Sequence, residues 1–437
     1  MKYRFYYLNP FFILILFVSF YSLASRADIS KREAFDILKS QGIKWKMINT
    51  ISEDADIRVE ETSSAFRPKV QLALKQFYAK INPVQYGGDD KTVIDQVGLG
   101  STNLEFNWSL LDPTAKAESR IAIARASASK QTVLQNQTDL TALMLFQYLT
   151  VQRLKRQLTV MDANLEKSQL IYKLAKAKNN VGAGIPLDVA RAKNLAELDR
   201  LKKINAFNKF LKAQHELSTT LGLERLKDTL EPLKATRMNN EALRVLLEKS
   251  LQTRPDLKSA ELSVHAAKEL VDGTNHFIFP KLSLLGEIGT TRATALGFPA
   301  QTASGAIGIA LTIPIDSGGV ITAKKNEAYS LQNKADLQLQ QTRLEVLSQV
   351  KEAIEQVLST EEAFGAAEQY VTTVEEESSI AEKRFSQGAS NVLDYTSSHA
   401  NLSTAQDTLT EAMFNLEAAK INYYRTLGSF EGYFENN

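Results

Sequence analysis

Cysteine is absent from this chain of 437 residues. Its absence excludes disulfides, thiolate metal sites, cysteine nucleophiles and a lipid attached to an amino-terminal cysteine. Only four histidines occur, and none forms an HExxH motif or a pair at helical spacing, so the sequence does not support a metal site. The chain also lacks an excess of either charge. Its 52 basic and 50 acidic residues give a net charge of +2, which provides no electrostatic argument for nucleic acid binding.

Proline is missing from two long stretches, residues 114–185 and 315–437. A proline inside a helix costs about 3 kcal/mol, so stretches of this length without proline permit very long helices. A helix over most of residues 114–181 is on the order of 100 Å long at 1.5 Å per residue. A compact domain has no need of such a helix.

Long hydrophobic runs are missing as well, apart from residues 11–20. Residues 1–27 have the pattern of an export signal peptide, in which basic residues precede the apolar run and small residues follow it. The small residues predict cleavage after Ala24 or Ala27. An uncleaved membrane anchor is the alternative, but the run is shorter than the ~20 residues that a spanning helix needs.

Two pairs of segments alternate apolar and polar residues with the period of two that is typical of strands. The first pair covers about 69–77 and 101–111, and the second covers about 281–290 and 305–315. Half-buried sheet in a soluble α+β domain is one interpretation of each pair. The predicted export and the segment lengths favour membrane-crossing strands instead, as do the aromatic residues near strand ends, Phe77, Trp108 and Phe298. The smallest known barrels have about eight strands, so several chains must then share one barrel.

The chain repeats itself at an offset of 206 positions. In each copy a glycine is followed by an Asp and, after a continuous helical pattern, by a Leu-Gly stop. These landmarks are Gly182, Asp188 and Leu221-Gly222 in the first copy, and Gly388, Asp394 and Leu427-Gly428 in the second. A repeat of this length indicates one half-structure used twice. We predict a first repeat over 28–222, an inter-repeat segment over 223–253, a second repeat over 254–428 and a tail over 429–437.

The helical pattern that ends the second copy is a heptad, with large residues at one seam position and alanine at the other. This spacing keeps both rows toward a partner helix when the helices supercoil left-handedly. An ordinary amphipathic core helix is the alternative for either copy alone. The seam residues are Leu402, Leu409, Leu416, Tyr423, Ala405, Ala412 and Ala419, and their partial equivalents in the first copy are Phe210, Leu217, Ala206 and Ala213.

Together these features resemble the TolC family of bacterial outer-membrane efflux proteins, over essentially all of the chain after the predicted signal peptide. Four patterns carry the resemblance, and their combination at the repeat spacing is specific. They are the glycine-to-Asp breaks in 181–189 and 385–394, the two Leu-Gly stops, Arg254-Pro255-Asp256-Leu257, and the pair Pro280-Lys281-Leu282-Ser283-Leu284 and Pro314-Ile315-Asp316-Ser317-Gly318-Gly319.

The resemblance implies a mainly α fold with β structure, in which each chain of a homotrimer gives four strands to an outer-membrane β-barrel. The barrel would continue as a long periplasmic α-helical barrel. The implied function is passive conduction, without cofactor or metal, in a tripartite efflux pump or type I secretion system. The implied partners are a periplasmic adaptor (membrane fusion) protein, an inner-membrane RND, ABC or MFS transporter and outer-membrane lipid, with no nucleic acid.

Two other functions compete with that of a channel. A periplasmic coiled-coil scaffold or adaptor without a membrane barrel is the alternative, but the lipoyl-like and barrel modules expected of an adaptor are not evident. An enzyme is not expected, because no nucleophile elbow, phosphate loop or metal spacing brings catalytic residue types together.

By the same resemblance, residues 182–188 and 388–394 are the tips of two helical hairpins that meet the adaptor and form the gate. The implied docking residues are Val181, Gly182, Leu187, Asp188, Gly388, Leu393 and Asp394. The candidate gate ion pairs involve Arg191, Arg384 and Asp394, with Lys193 and Lys383 nearby.

A purely structural role for the tips is the alternative, in which Asp188 and Asp394 cap or begin the outgoing helices. The resemblance also has a limit at Ser397. The best-studied members of the family carry a further Asp at this position, where it lines a cation-binding ring. The resemblance therefore does not extend to that acidic ring.

Overall fold

The computed structural model describes residues 28–79, 97–226, 230–237, 254–295, 298–315 and 317–435. The predicted signal peptide and both candidate cleavage sites lie outside these residues, as do residues 227–229 and 238–253 of the inter-repeat segment. The chain divides into two compact units. The first comprises Met1–Ile48, Gln135–Arg254 and Val346–Asn437, and the second comprises Asn49–Leu134 and Pro255–Glu345.

The second unit contains one antiparallel sheet, whose four strands are neighbours in chain order. The strands are β1 (Lys69–Ala79), β2 (Val97–Leu111), β3 (Lys281–Ala295) and β4 (Phe298–Thr312). Four strands per chain were expected, but the predicted bounds were wrong in two ways. Strands β2, β3 and β4 extend farther into segments rich in Gly, Ser, Thr and Ala, where backbone pairing continues although the apolar alternation has ended. Strand β4 also stops before the predicted 315, because Pro314 has no N–H to donate to a ladder.

The register of the strands separates the sheet into an apolar face and a polar face. Leu104 pairs with both Leu72 and Ile288, and Leu284 pairs with Ile309, so apolar side chains share one face across all four strands. On the single chain this apolar face is open to solvent, and Ile307 is 79% exposed. The polar face includes Gln71, Lys75, Asn103, Glu105, Glu287 and Ser304.

Two helices precede the sheet, α1 (Lys31–Gln41) and α2 (Ile43–Ser63). Ser30 caps α1 in a capping box with Glu33, whose backbone N lies 3.1 Å from the Ser30 hydroxyl. A short 3₁₀ turn, Ser64–Phe66, then leads to β1.

Very long helices fill the stretches without proline, as expected: α3 (Pro113–Asn180, 68 residues), and α6 (Val320–Ser386, 67 residues) with α7 (Val392–Leu427, 36 residues). The other helices after β2 are α4 (Pro186–Leu221, 36 residues), α5 (Pro255–Thr274) and the short α8 (Glu431–Glu435). Prolines open α3, α4 and α5, where the missing N–H has no helical partner to lose. No helix in the described ranges is long and apolar enough to span a membrane.

The heptad seam of α7 is a packing surface. Leu402 and Ala405 pack against Val371 and Val374 of α6, and farther along α7 a second cluster joins Ala419 and Tyr423 to α6. Helices α4 and α7 have equal length, and both end at a glycine with φ of +76°. These observations match the equal landmark spacing in the sequence.

The first unit has a core in which distant parts of the chain meet α3. Tyr148 donates to the carbonyl of Ile29 at 2.6 Å, and Ile29 forms a parallel bridge with Leu230 of the inter-repeat segment. The tail docks rather than remaining separate, since Phe430 and Tyr433 are buried in the same cluster. Both ends of the described chain therefore pack against the long helices.

A buried charge network adds to this core. Glu417 of α7 is fully buried and lies 2.5 Å from the Nζ of Lys420 and 3.2 Å from the Nζ of Lys31. The backbone N–H of Thr236 donates to the same carboxylate, and the Thr236 hydroxyl accepts from Lys420. Burial lowers the pKa of Lys420, and the nearby Glu417 opposes that change. The network ties α1 and the inter-repeat segment to α7.

Replacing Tyr423 with Phe is expected to change stability mainly at alkaline pH. Burial, with a smaller contribution from Tyr424, raises the pKa of Tyr423 to about 12. An unfolded tyrosine ionises near pH 10, so this side chain stabilises the fold fully below pH ~10 and loses that contribution as the pH rises toward 12. The hydroxyl has no hydrogen-bond partner among the described residues, so Phe should cost less than about 1 kcal/mol at pH 7.

Thermal unfolding measured between pH 7 and 12 checks this expectation. The wild type should lose up to about 1.4 kcal/mol more per pH unit than Tyr423→Phe above pH 10. Tyr329→Phe, at an exposed position, is the control and should follow the wild type. A loss of several kcal/mol at pH 7 in Tyr423→Phe would show that the hydroxyl has an essential partner.

Candidate functional site at the two helical turns

The first tip (residues 182–188) begins where glycine ends α3. Gly182 has φ of +76°, and its N–H donates to the carbonyl of Asn179 at 3.1 Å. The next N–H, of Ala183, donates to the carbonyl of Lys178 at 2.9 Å. This pair of bonds is a Schellman motif, which needs a left-handed residue directly after the helix. Glycine adopts that conformation without the steric cost that a Cβ brings.

The second tip (residues 388–394) repeats the motif at the end of α6. Gly388 has φ of +80° and donates to the carbonyl of Phe385 at 3.1 Å. Ala389 donates to the carbonyl of Arg384 at 2.8 Å. The two tips therefore share one backbone geometry at equivalent repeat positions.

The outgoing helices start differently. Asn391 caps α7, and its side-chain oxygen accepts from the N–H of Asp394 at 3.0 Å. Ile185 precedes α4 without a side-chain cap, and Pro186 follows it as the first helical residue. Asp188 and Asp394 thus lie in the first turns of α4 and α7, where a carboxylate interacts favourably with the free N–H groups. Of the two structural roles considered, beginning the helix fits them and capping it does not.

The structure brings the two tips together through an apolar cluster. Phe385, Val392 and Tyr395 of the second hairpin pack with Ile171, Ala175 and Ala192 of the first. Lys178 crosses between the hairpins: its Nζ donates to the carbonyl of Phe385 at 2.8 Å and lies 4.6 Å from the centre of the Phe385 ring. The same carbonyl accepts from Gly388, so Lys178 supports the second glycine turn directly.

The predicted docking side chains lie on the outside of this cluster. Val181 is 79% exposed, Leu187 is 54% exposed and Leu393 is 50% exposed. Exposed aliphatic side chains grouped beside two fixed turns form an apolar surface that a partner protein can cover. Asp394 and Arg384 are also exposed, whereas Asp188 is partly buried.

The candidate gate ion pairs do not form within the described part of a single chain. Arg191, Arg384 and Asp394 have no oppositely charged atom within 4.0 Å among its salt bridges. Asp188 has an enclosed Oδ1 atom without a hydrogen-bond partner among the described residues. Ion pairs between these groups and another chain remain a prediction.

A second link between the hairpins lies farther from the tips and was missed by sequence reasoning. Asp199 of α4 and His399 of α7 are both buried, with 3.2 Å between Oδ2 and Nε2. The Tyr395 ring stacks on His399 at 5.8 Å. Burial, with smaller contributions from Glu382 and Asp199, raises the pKa of Tyr395.

Only one of the missed residues had a signal in the sequence. Lys178 is equivalent to Arg384 under the repeat offset, so aligning the two copies would have indicated a basic residue at both turns. Asp199 and His399 have Ala405 and Lys193 as their equivalents, and the repeat therefore says nothing about their pairing.

Replacing Lys178 with Met should loosen the second tip while leaving the fold intact. The change removes a charge-assisted hydrogen bond and a cation–π contact, with an expected local cost of about 1–2 kcal/mol. Amide hydrogen exchange at residues 388–394 should accelerate about tenfold. Lys176→Met removes an exposed lysine two residues earlier and should leave these rates unchanged. Equal rates in both variants would rule out the support that we assign to Lys178.

The described residues contain no group of three His, Asp or Glu side chains that could hold a metal ion. The site at the tips consists of two glycine turns, exposed aliphatic side chains and the candidate gate charges, which form no ion pair among the described residues. Such a surface is suited to protein contacts.

A family model described as "Outer membrane efflux protein" matches residues 54–223 and 246–429, which include both tips and all four strands. The chain belongs to the outer membrane efflux protein family.

Individual proteins agree with this assignment. The toluene efflux pump outer membrane protein TtgC of Pseudomonas putida is 21% identical over 435 residues, covering 95% of this chain and 88% of TtgC. Nodulation protein T of Rhizobium leguminosarum bv. trifolii is 24% identical over 274 residues, covering 61% of this chain and 58% of that protein. The open-state structure of the Neisseria gonorrhoeae MtrE outer membrane channel matches with a TM-score of 0.73 at 18% identity, covering 92% of this chain and 90% of MtrE.

Family membership confirms the fold class, the outer-membrane location and the channel function expected from the sequence. This outer membrane efflux protein is a channel component that works with pump partners, and its family is one of channels, not of enzymes. The assignment also decides against the alternative of a periplasmic scaffold or adaptor without a membrane barrel.

Proposed function

We propose that three copies of the chain close a twelve-stranded barrel through which substrates pass passively to the cell exterior. The observation that carries this proposal is the open four-stranded sheet with an exposed apolar face. Its edge strands, β1 and β4, each have one side without a neighbour in the described chain. Lipid-exposed strands cannot leave such edges unpaired, and four strands are too few to close on themselves.

The two faces of the sheet support lipid outside and water inside. Leu72, Leu104, Ile288 and Ile307 would contact lipid, whereas the polar face would line the lumen. On the polar face Lys75 pairs with Glu105 at 3.3 Å. Such contacts between side chains of neighbouring strands would stabilise the hydrated wall of the lumen without a bound cofactor.

The two tips would contact a periplasmic adaptor protein and form the gate. Val181, Leu187 and Leu393 provide exposed apolar contacts beside turns that the Schellman motifs hold rigid. Arg384 and Asp394 are exposed and could pair between neighbouring hairpins of the trimer. Exposed ion pairs contribute only about 0–1 kcal/mol each, which suits a gate that must open.

The energy for transport would come from an inner-membrane transporter of the RND, ABC or MFS class. A passive channel has no site for an energy-supplying substrate. The tips are the surface that would couple the channel to such a transporter. Small apolar organic compounds are the cargo that we favour, since TtgC is named for the efflux of toluene. Export of such compounds distinguishes efflux from protein secretion.

Membrane fractionation with gel electrophoresis tests the proposed assembly. The mature protein should appear in the outer-membrane fraction and migrate as a trimer before heating and as a monomer afterwards. A matched culture expressing the channel without its pump should show the same trimers, because the pump contributes no strand to the proposed barrel. A protein that stays monomeric and water-soluble would contradict the proposal.

A further inference from the structure

The apolar face of the sheet changes character toward one end. This outer end of the sheet comprises the strand ends at Ala79, Val97, Ala295 and Phe298. From the row that contains Leu104 and Ile288, the next row on this face pairs Thr102 with Thr290. The row after that aligns Gly100, Arg292 and Gln301.

These residues surround a groove of about 440 Å³ on the sheet. Gln76, Thr102, Thr290, Arg292 and Gln301 line it from the apolar face, and Gly100 forms part of its floor. Lys75 and Ser101, whose positions alternate to the polar face, also border it. A Cβ at Gly100 would lie 2.6 Å from the Gln76 side-chain oxygen. Glycine at this position therefore leaves room for the Gln76 amide. On the apolar face the groove thus combines one guanidinium, two amides and two hydroxyls in a shallow surface.

Arg292 has no carboxylate within 4.0 Å among the salt bridges of the described residues. Its Nη2 lies 3.4 Å from the Gln301 oxygen, which accepts from one of the five donors of the guanidinium. Lys75 lies at the same height on the polar face, because it pairs with Ser101 in the row beside Gly100, and its charge is balanced by Glu105. Of the two described cations that border the groove, Arg292 is therefore the one available to an external anion.

The position of Arg292 near the outer end of the sheet agrees with a location at the membrane interface. A cation on the lipid-facing side of a barrel is costly at mid-membrane and tolerated near the headgroups. Arg292 is on β3, with β2 and β4 of the same chain on either side, so closure of a trimer leaves the groove open. Guanidinium is also the group that binds phosphate with two parallel hydrogen bonds.

We infer that this groove binds the phosphate of a lipid headgroup in the outer leaflet. The inference rests on the proposed function, since the apolar face must contact lipid. Arg292 supplies the charge and the forked donors, and the Gln76 amide and the Thr102 and Thr290 hydroxyls supply further hydrogen bonds. The site anchors the barrel at its outer rim.

Native mass spectrometry of the purified full-length trimer in detergent tests the site. The probes are diphosphorylated lipid A, its dephosphorylated counterpart and inorganic phosphate. The wild type should bind the diphosphorylated lipid about tenfold more tightly than the dephosphorylated one, and Arg292→Gln should lose this preference. Arg292→Lys keeps the charge without the fork and should fall between them. Lys69→Gln removes a charge at the opposite end of β1, away from the groove, and should bind as the wild type does.

Three results would overturn the inference while leaving the trimeric barrel intact. They are unchanged lipid preference in Arg292→Gln, an equal loss in Lys69→Gln, or displacement of the lipid by inorganic phosphate at the same concentration. Gel migration in the same samples distinguishes failure of the lipid site from failure of the trimeric barrel. A wild type that forms no trimers would overturn both the barrel and the site.

Discussion

An arginine in place of Ile307 should prevent the protein from assembling in the outer membrane. Ile307 is on the apolar face of β4, midway between the helix-joined end of the strand and the outer end, and it is 79% exposed on the single chain. An arginine at the membrane midplane of a barrel costs about 2–4 kcal/mol. Three copies would cost about 6–12 kcal/mol per trimer, which is comparable to the whole stability of a typical domain.

The adjacent residue provides the control. Ala306 lies on the polar face opposite Glu287, so an arginine there would have water and a carboxylate within reach. Ala306→Arg should therefore form trimers at nearly the wild-type yield. Ile309→Arg lies closer to the helix-joined end and should be impaired less than Ile307→Arg. Equal trimer yields for Ile307→Arg and Ala306→Arg, measured on unheated gels, would contradict the assignment of faces.

Valine in place of Gly388 should abolish export while trimers still form. No atom lies within 4 Å of a Cβ built at Gly388, so the variant meets no steric clash with other residues. Its cost is conformational, because a β-branched residue is strained at φ of +80° by roughly 1–2 kcal/mol or more. The hydrogen bonds to the carbonyls of Phe385 and Arg384 would be lost, and Leu393, a proposed docking residue, would be displaced.

Asparagine at the same position separates backbone conformation from bulk. Asn tolerates the left-handed region, so Gly388→Asn should keep the turn and most of the export. Export can be measured as dye accumulation in cells that lack their own channel and contain the cognate pump and adaptor. Normal export in Gly388→Val would argue against a role for the tip in docking. An equal loss in both variants would argue against the backbone explanation.

The repeat was the most informative property of the sequence, because backbone conformation depends on few residues. A left-handed glycine and a first-turn Asp recur at the same offset, so the two tips could be located without a structure. The strand bounds were less predictable. Residues 97–101 pair through their backbone without an apolar alternation, while Ile313 and Ile315 continue the alternation beyond the last paired residue.

Contacts between distant segments could not be predicted. Lys31, Thr236, Glu417 and Lys420 form one buried network, although no local pattern relates the first two to the helix that carries the others. Each looks like an ordinary surface residue until packing removes the water around it. The pairing of Asp199 with His399 has the same origin, since burial between two helices depends on their packing.

Covalent trapping of the seam between chains tests the central claim most directly. The chain has no cysteine, so engineered cysteines react without competition. Ala73→Cys in β1 can be combined in turn with Ser304→Cys, Ala306→Cys or Ala310→Cys in β4, all on the polar face. A disulfide forms only when the two Cα atoms approach within about 4.4–6.8 Å. We predict that at least one pair gives, on oxidation, a ladder that ends at three chains, whereas each single cysteine gives none. Species larger than three, dimers from a single cysteine, or monomers from every pair would contradict a barrel closed by three copies.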